Sequence, residues 1–274
     1  MAVSGTESLI CWGKFNLAEW QSPIVAPTLP ASFSSRAEKA IAVFPLLLFF
    51  HEDLPKLQLQ LRQVTERWTV TELTESSEPD DAKSPTVDQA ITVLGATIAH
   101  SLKHTLHPST FLQAQLSLPT LTDPLRSLLS QIQHRLETRT GFASWQEDLL
   151  KSSQGDDSQI AIGLALYCFL TTPDDFRLSL LRAIQTDYRL EVVCPLVGVL
   201  SGAYNGVMGI PAQWRFAVAA SQAKIPVWQR STAEILQLAD RLLAVWSGMC
   251  DPIQSTIVPN QSPAVFAPGV IRPR

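Results

Sequence analysis

Apolar residues recur along this chain with a helical period, and no segment alternates convincingly as a strand. The clearest run is Leu125, Leu128, Leu129, Ile132 and Leu136, spaced i, i+3, i+4, i+7 and i+11. That spacing predicts an amphipathic helix closing near Gly141. Leu54, Leu57, Leu61, Val64 and Trp68 place a similar stripe on "HEDLPKLQLQLRQVTERW". Ser35 begins an earlier helix, with Glu38 as its capping-box partner, running toward the apolar Ala40–Phe50 segment and interrupted at Pro45. Helical patterning also covers Gln89–His104. Gln159–Leu170, "QIAIGLALYCFL", is apolar on nearly every side and predicts a core helix. "TTPDDFRLSLLRAIQ" follows, with Thr172 as cap and Pro173 at the first helical position. In "STAEILQLADRLLAVWSG", Ser231 and Glu234 form a capping box and Gly248 is the stop.

The stretches between have no period. Residues 1–34 hold several prolines and two tryptophans and predict an irregular arm. Thr69–Asp88 is acidic, rich in Ser, Thr and Pro, and reads as a flexible loop. Pro108, Pro119 and Pro124 punctuate a connector, and 251–274 is a Pro-rich flexible tail. The pattern therefore predicts an all-α protein, one helical domain over residues 35–250.

Composition narrows the class. With 274 residues, 46% hydrophobic and 17% charged, the chain can bury a large core. A net charge of -4 offers no electrostatic footprint for nucleic acid. Ala40–Phe50 is too short to span a bilayer. Val192–Pro211 is long enough, but Pro195, Ser201, Asn205 and its glycines suit a helix buried on all sides of a soluble bundle. No membrane partner is expected. The start, "MAVSGTESLICW", has no signal-peptide pattern, so a cytoplasmic location is expected. Cys11, Cys168, Cys194 and Cys250 lie far apart and read as free thiols.

Several clusters could carry chemistry. His100, His104 and His107 stand at i, i+4 and i+7, which would put three imidazoles on one helical face, a spacing zinc can use. No Glu follows His100 as in H-E-x-x-H, and a helix C-terminus favours His by its dipole alone. The acids of His51–Asp53, Gly155–Asp157 and Pro173–Phe176 all stand at helix starts, where capping explains them. Gly198, Gly202 and Gly206 form a G-x-x-x-G-x-x-x-G stripe. Each helical glycine costs about 1 kcal/mol against alanine, so close approach of another backbone to a central helix is expected. Ahead of the stripe stand Asp187, Arg189 and Glu191, an acid, a base and an acid.

The stretch "GAYNG…GIPAQW", ending at Pro211 and Trp214, resembles the closing motif of the ADP-ribosylglycohydrolase family. "IAIGLALYCFLTTPDDFRLSLLRAIQ" is similar to that family's core helix and its continuation, and "FPLLLFFHEDLPKL" to its M-R-x-x-P-L-g-L segment. The resemblance is firm over Gln159–Trp214 and weaker over Ser35–His104. It implies a compact, mostly antiparallel helical domain with two Mg²⁺ ions in a central cleft. Carboxylates of T-D-D-T and D-x-D-T motifs hold those ions against ribose hydroxyls and position a water at the glycosidic carbon.

Aligned without a gap from Gly202-Ala203, the family's D-x-D-T falls on Arg189-Leu190-Glu191-Val192, and the two preceding glycines on Asp187 and Tyr188. T-D-D-T and the family's N-terminal G-D-x-x-G do not occur in the chain, which suggests an N-terminally shortened member. Three readings of Asp187–Glu191 stand open. On a helix, Asp187 and Glu191 would share a face and hold one cation. Arg189 would contact a phosphate or ribose without metal. Or the three form a solvated ion-pair turn ahead of a buried helix.

The resulting expectation is a catalytically inactive relative, a pseudoenzyme with a binding or structural role and no cofactor. Its ligand would be an unidentified protein or an ADP-ribose-like nucleotide, with 69–88 and the tail as docking elements. The alternative is a divergent hydrolase acting on ADP-ribosylated protein or a related ribosyl compound, with Mg²⁺ and with Glu191 and Asp187 as its catalytic carboxylates.

Overall fold

A computed structural model describes residues 2–15, 40–75, 85–119, 121–138, 145–146, 149, 157–215 and 232–249. Every regular element among them is a helix, and the principal ones are α1 (Ala2–Trp12), α2 (Phe44–Phe49), α3 (Leu54–Glu75), α4 (Pro85–Leu102), α5 (Pro108–Leu116), α6 (Asp123–Thr138), α7 (Asp157–Thr171), α8 (Phe176–Gln185), α9 (Leu190–Gly209) and α10 (Thr232–Trp246). The fold is all-α. The Ser35–Glu38 cap, the Gly141 stop, Gly155 and Asp156, the Ser231 cap, Cys250 and the 251–274 tail lie outside the described residues.

By its contacts the chain divides into two compact units, one of residues 1–32, 42–49 and 212–274, the other of 33–41 and 50–211. In the first, α1 packs on α2 and on α10, burying Leu9, Ile10, Leu46 and Leu47. Residues 2–12 are therefore helical, where an irregular arm was expected. α10 ends as predicted at Gly248, whose φ of +75° needs no Cβ. Met249 N–H donates to Ala244 O at 2.8 Å and Gly248 N–H to Val245 O at 3.1 Å, the paired bonds of a Schellman cap.

The second unit contains α3 to α9. Asp53 starts α3, its Oδ1 accepting the Lys56 N–H at 3.0 Å, so the first acid cluster caps a helix. Leu57, Leu61 and Val64 are buried as the stripe predicts. The helix continues to Glu75, and α4 begins at Pro85, so neither end of the 69–88 stretch is loop. Prolines read as connector residues also belong to helices. Pro108 opens α5 and Pro124 lies in the first turn of α6, where a missing N–H costs nothing. Arg126 then ties off the end of α5, donating to Leu118 O at 3.0 Å and Leu121 O at 3.3 Å.

The core of this unit is α7, whose residues from Ile160 to Leu170 are almost all buried. It is flanked by α4, α6, α8 and α9. Leu125, Leu128, Leu129 and Ile132 of α6 are buried, as their spacing requires. The close approach between helices occurs at Gly163, not at the stripe. A Cβ there would meet Leu128 Cδ2 at 2.7 Å and Cδ1 at 2.9 Å, so only glycine lets the Leu128 side chain lie against α7.

α8 begins three residues later than expected. Asp175, not Thr172, is the cap, its side chain accepting the Leu178 N–H at 2.8 Å. Thr172 instead lies 3.1 Å from Ser179 Oγ through its hydroxyl and accepts from Ser179 Oγ through its carbonyl at 2.7 Å. The intervening turn is held by α9. Asn205 Nδ2 donates to Pro173 O at 2.7 Å as well as to Ser201 O at 3.0 Å.

α9 is not buried on all sides. Val192, Val193, Leu196, Val197, Leu200 and Ser201 are buried, and the helix packs on α7, α8 and α4. Pro195 is exposed, and Met208 is 82% exposed. Gly198 and Gly206 would meet nothing within 4 Å of an added Cβ, and Gly202 only the Phe176 ring edge at 4.0 Å, so the stripe does not mark a close backbone contact. Gly206 has a different cause. With φ 64° and ψ -174° it leaves the helix in a conformation that is essentially restricted to glycine. α9 is long and apolar enough to cross a membrane by length and composition. A third of its apolar window is buried within this unit, on the face that meets α7 and α8. Ile210 is extended before Pro211, and Trp214 is half-buried in a helical turn of the other unit.

Candidate functional site

The chain between α8 and α9 turns through residues 186–189. Thr186 anchors it: the residue is buried, its hydroxyl donates to Ala183 O at 2.8 Å, and its carbonyl accepts from the Gln146 side chain. Two residues of the turn have left-handed backbone, Asp187 at φ 47° and Arg189 at φ 38°. L-residues other than Asn and Asp avoid that region because Cβ crowds the following carbonyl. Glycine would take the Asp187 conformation freely, having no Cβ to crowd it.

Arg189 is the N-cap residue of α9, with no side-chain cap bond; its carbonyl accepts from the N–H groups of Val192 at 2.8 Å and Val193 at 3.0 Å. Glu191 lies in the first helical turn. Arg189 Nε is 3.3 Å from Glu191 Oε1, with side chains 22% and 64% exposed. Asp187 precedes the helix, so it does not share a helical face with Glu191. The helical i, i+4 placement behind the one-cation arrangement therefore does not hold. A dinuclear Mg²⁺ site needs several converging oxygen donors. Here one largely exposed carboxylate is paired with a guanidinium, and no group of three or more His, Cys, Asp or Glu able to hold a metal occurs among the described residues. This donor set does not fit the family's ions.

The three histidines do not share a helical face either, because the helix stops first. α4 ends at Leu102. His104, at φ 53°, is the left-handed residue of a Schellman cap, in which Thr105 N–H donates to His100 O at 3.0 Å and His104 N–H to Ser101 O at 3.1 Å. His107 is the N-cap residue of α5. His100 alone remains helical, its Nδ1 3.0 Å from Thr105 Oγ1 and its ring edge-on to Phe111 at 5.4 Å. Burial, then the Lys103 charge, lowers its pKa below the ordinary 6.5. The His100 ring thus has local partners, while His104 and His107 serve the two helix ends through their backbone.

A cleft lies elsewhere in the same unit, where the end of α6, the end of α7 and the start of α5 meet α8. It encloses about 740 Å³. Arg135 and Glu137 of α6, Tyr167 and Thr171 of α7, and Arg182 of α8 bring polar groups to it. Leu136, Leu170 and Pro108 supply apolar wall. Asp187, Arg189, Glu191 and the three histidines are not among its lining residues. The Nε of Arg182 is buried without a hydrogen-bond partner among the described residues. Neighbouring Cys168 does not neutralise it: burial pushes the thiol up to about 12, against the pull of Arg182, so the sulfur stays protonated. Glu137 accepts from Gln133 on its own helix at 3.0 Å.

No sequence signal led to this cleft. Arg135 and Arg182 lie on different helices, each near a C-terminal end where a basic residue suits the dipole. Only the packing of α6 and α8 around α7 brings them to one cavity.

Comparison with known proteins agrees with the motifs. The sequence model described as ADP-ribosylglycohydrolase matches residues 19–252. No curated protein matches significantly, and neither does any solved structure. The match covers most of the chain, including the core helix α7 and the glycine-bearing α9. The chain belongs to the ADP-ribosylglycohydrolase family.

Proposed function

We propose that this protein is a catalytically inactive member of its family, a helical domain retained for binding or for structure. The observation that carries this reading is the Arg189–Glu191 pair. A guanidinium stands where the family places a metal-binding carboxylate, and the neighbouring carboxylate is engaged by it at 3.3 Å. A cation at that point repels Mg²⁺, and more strongly the less water surrounds it. Without the ions, nothing grips the ribose hydroxyls or holds an attacking water in the manner the family requires. The protein then needs no resident cofactor. A cytoplasmic location accompanies this reading, supported by the apolar stripe of α9 that is buried against α7 and α8.

Calorimetric titration of the full chain with Mg²⁺, alone and with ADP-ribose, tests the reading. No heat of Mg²⁺ binding is expected at millimolar metal. Saturable Mg²⁺ binding lost on Glu191→Gln would restore the hydrolase alternative, with Glu191 as the surviving ligand.

A further inference from the structure

We infer that the cleft between α5, α6, α7 and α8 binds a small organic oxyanion, a phosphate or carboxylate carried on an apolar or planar body. Two guanidiniums line it, on Arg135 and Arg182, against one carboxylate on Glu137. The lining therefore carries a net positive charge. Glu137 is held by Gln133 at 3.0 Å along the same helix, so part of its hydrogen-bonding capacity is already used within α6. Arg182 has the opposite situation. Its buried Nε has no acceptor among the described residues, and Cys168, which its charge reaches, remains a neutral thiol. A buried cationic donor left without an acceptor is costly, and an anion within reach of the same guanidinium offsets that cost.

The rest of the wall fits the remainder of such a ligand. Tyr167 is 5% exposed, so its ring forms part of the solid side of the cleft. Leu136, Leu170 and Pro108 give an apolar surface, and Ser109 and Thr171 add polar residues to the lining. A volume of about 740 Å³ lies within the size range of sites for drug-sized molecules. Two arginines lining a cleft with an apolar wall suit an oxyanion with a hydrophobic body better than a bare inorganic ion. The turn at Asp187–Glu191 contributes nothing to this cleft, so the inference holds whether or not the family's hydrolysis survives.

Calorimetry of the full chain with phenyl phosphate, benzoate and inorganic phosphate tests it, the first two separating the headgroups. One of the two aromatic ligands should bind with at least tenfold higher affinity than inorganic phosphate. Arg182→Gln and Arg135→Gln should each weaken that binding tenfold or more. Arg177→Gln, on the same helix but outside the cleft, should leave it unchanged, and circular dichroism of each variant checks that the fold is intact. No binding of any probe at millimolar concentration would overturn the inference. So would a loss in Arg177→Gln equal to that in Arg182→Gln, because general charge would then account for the binding.

Discussion

Arg189 Nε lies 3.3 Å from Glu191 Oε1, at the point where a left-handed turn delivers the chain into α9. The turn before the pair has a positive φ at Asp187. An exposed pair of this kind contributes roughly 0.2–1 kcal/mol. Glu191→Gln should therefore lower stability by less than about 1 kcal/mol in urea denaturation. Asp187→Gly, which removes the left-handed penalty, should be neutral or raise stability by about 0.5 kcal/mol. A loss of several kcal/mol in either variant would mean the carboxylate has a partner the exposed turn does not provide.

Glycines in the two central helices should respond in opposite directions. Gly163→Ala places a methyl 2.7 Å from Leu128 Cδ2. Overpacking typically costs about 1–3 kcal/mol, more than the roughly 1 kcal/mol of helix propensity gained. Gly198→Ala meets nothing within 4 Å, so it keeps the propensity gain and stabilises by up to about 1 kcal/mol. Denaturation midpoints of the two variants, measured beside the parent, decide this.

His100 gives a pH dependence. Burial holds its pKa below 6.5, so the unfolded chain binds its proton more readily than the folded one. The contribution is fully present above pH 6.5 and is lost as pH falls through the lowered folded value. His100→Gln should flatten the stability profile below pH 6.5, while its difference from the parent stays constant at higher pH. A parallel offset at all pH values would contradict the assignment.

The legible part of the fold was what periodicity records. Leu125 to Ile132 and Gln159 to Leu170 show how much of a helix surface is covered, and both helices are buried accordingly. Punctuation was less informative. Pro108 begins α5 where it read as part of a connector, and Asp175 caps α8 although Thr172 has an equally competent side chain. Thr172 is diverted to Ser179, a contact made only after α8 has folded back on α7. Small residues were ambiguous for the same reason. A stripe of glycines shows that Cβ atoms are missing, but the partner backbone it implied is not there, and the close contact with another helix is at the unremarked Gly163. The three histidines failed on a local event, since α4 stops at Leu102 and His104 turns left-handed. The paired arginines of the cleft were illegible because 135 and 182 are related only through α7.

Release of ADP-ribose from ADP-ribosylarginine protein in the presence of Mg²⁺ tests the central claim most directly. The account predicts release no faster than the protein-free control, with no change on Glu191→Gln. Robust turnover that requires Mg²⁺ and is abolished by Glu191→Gln would contradict it.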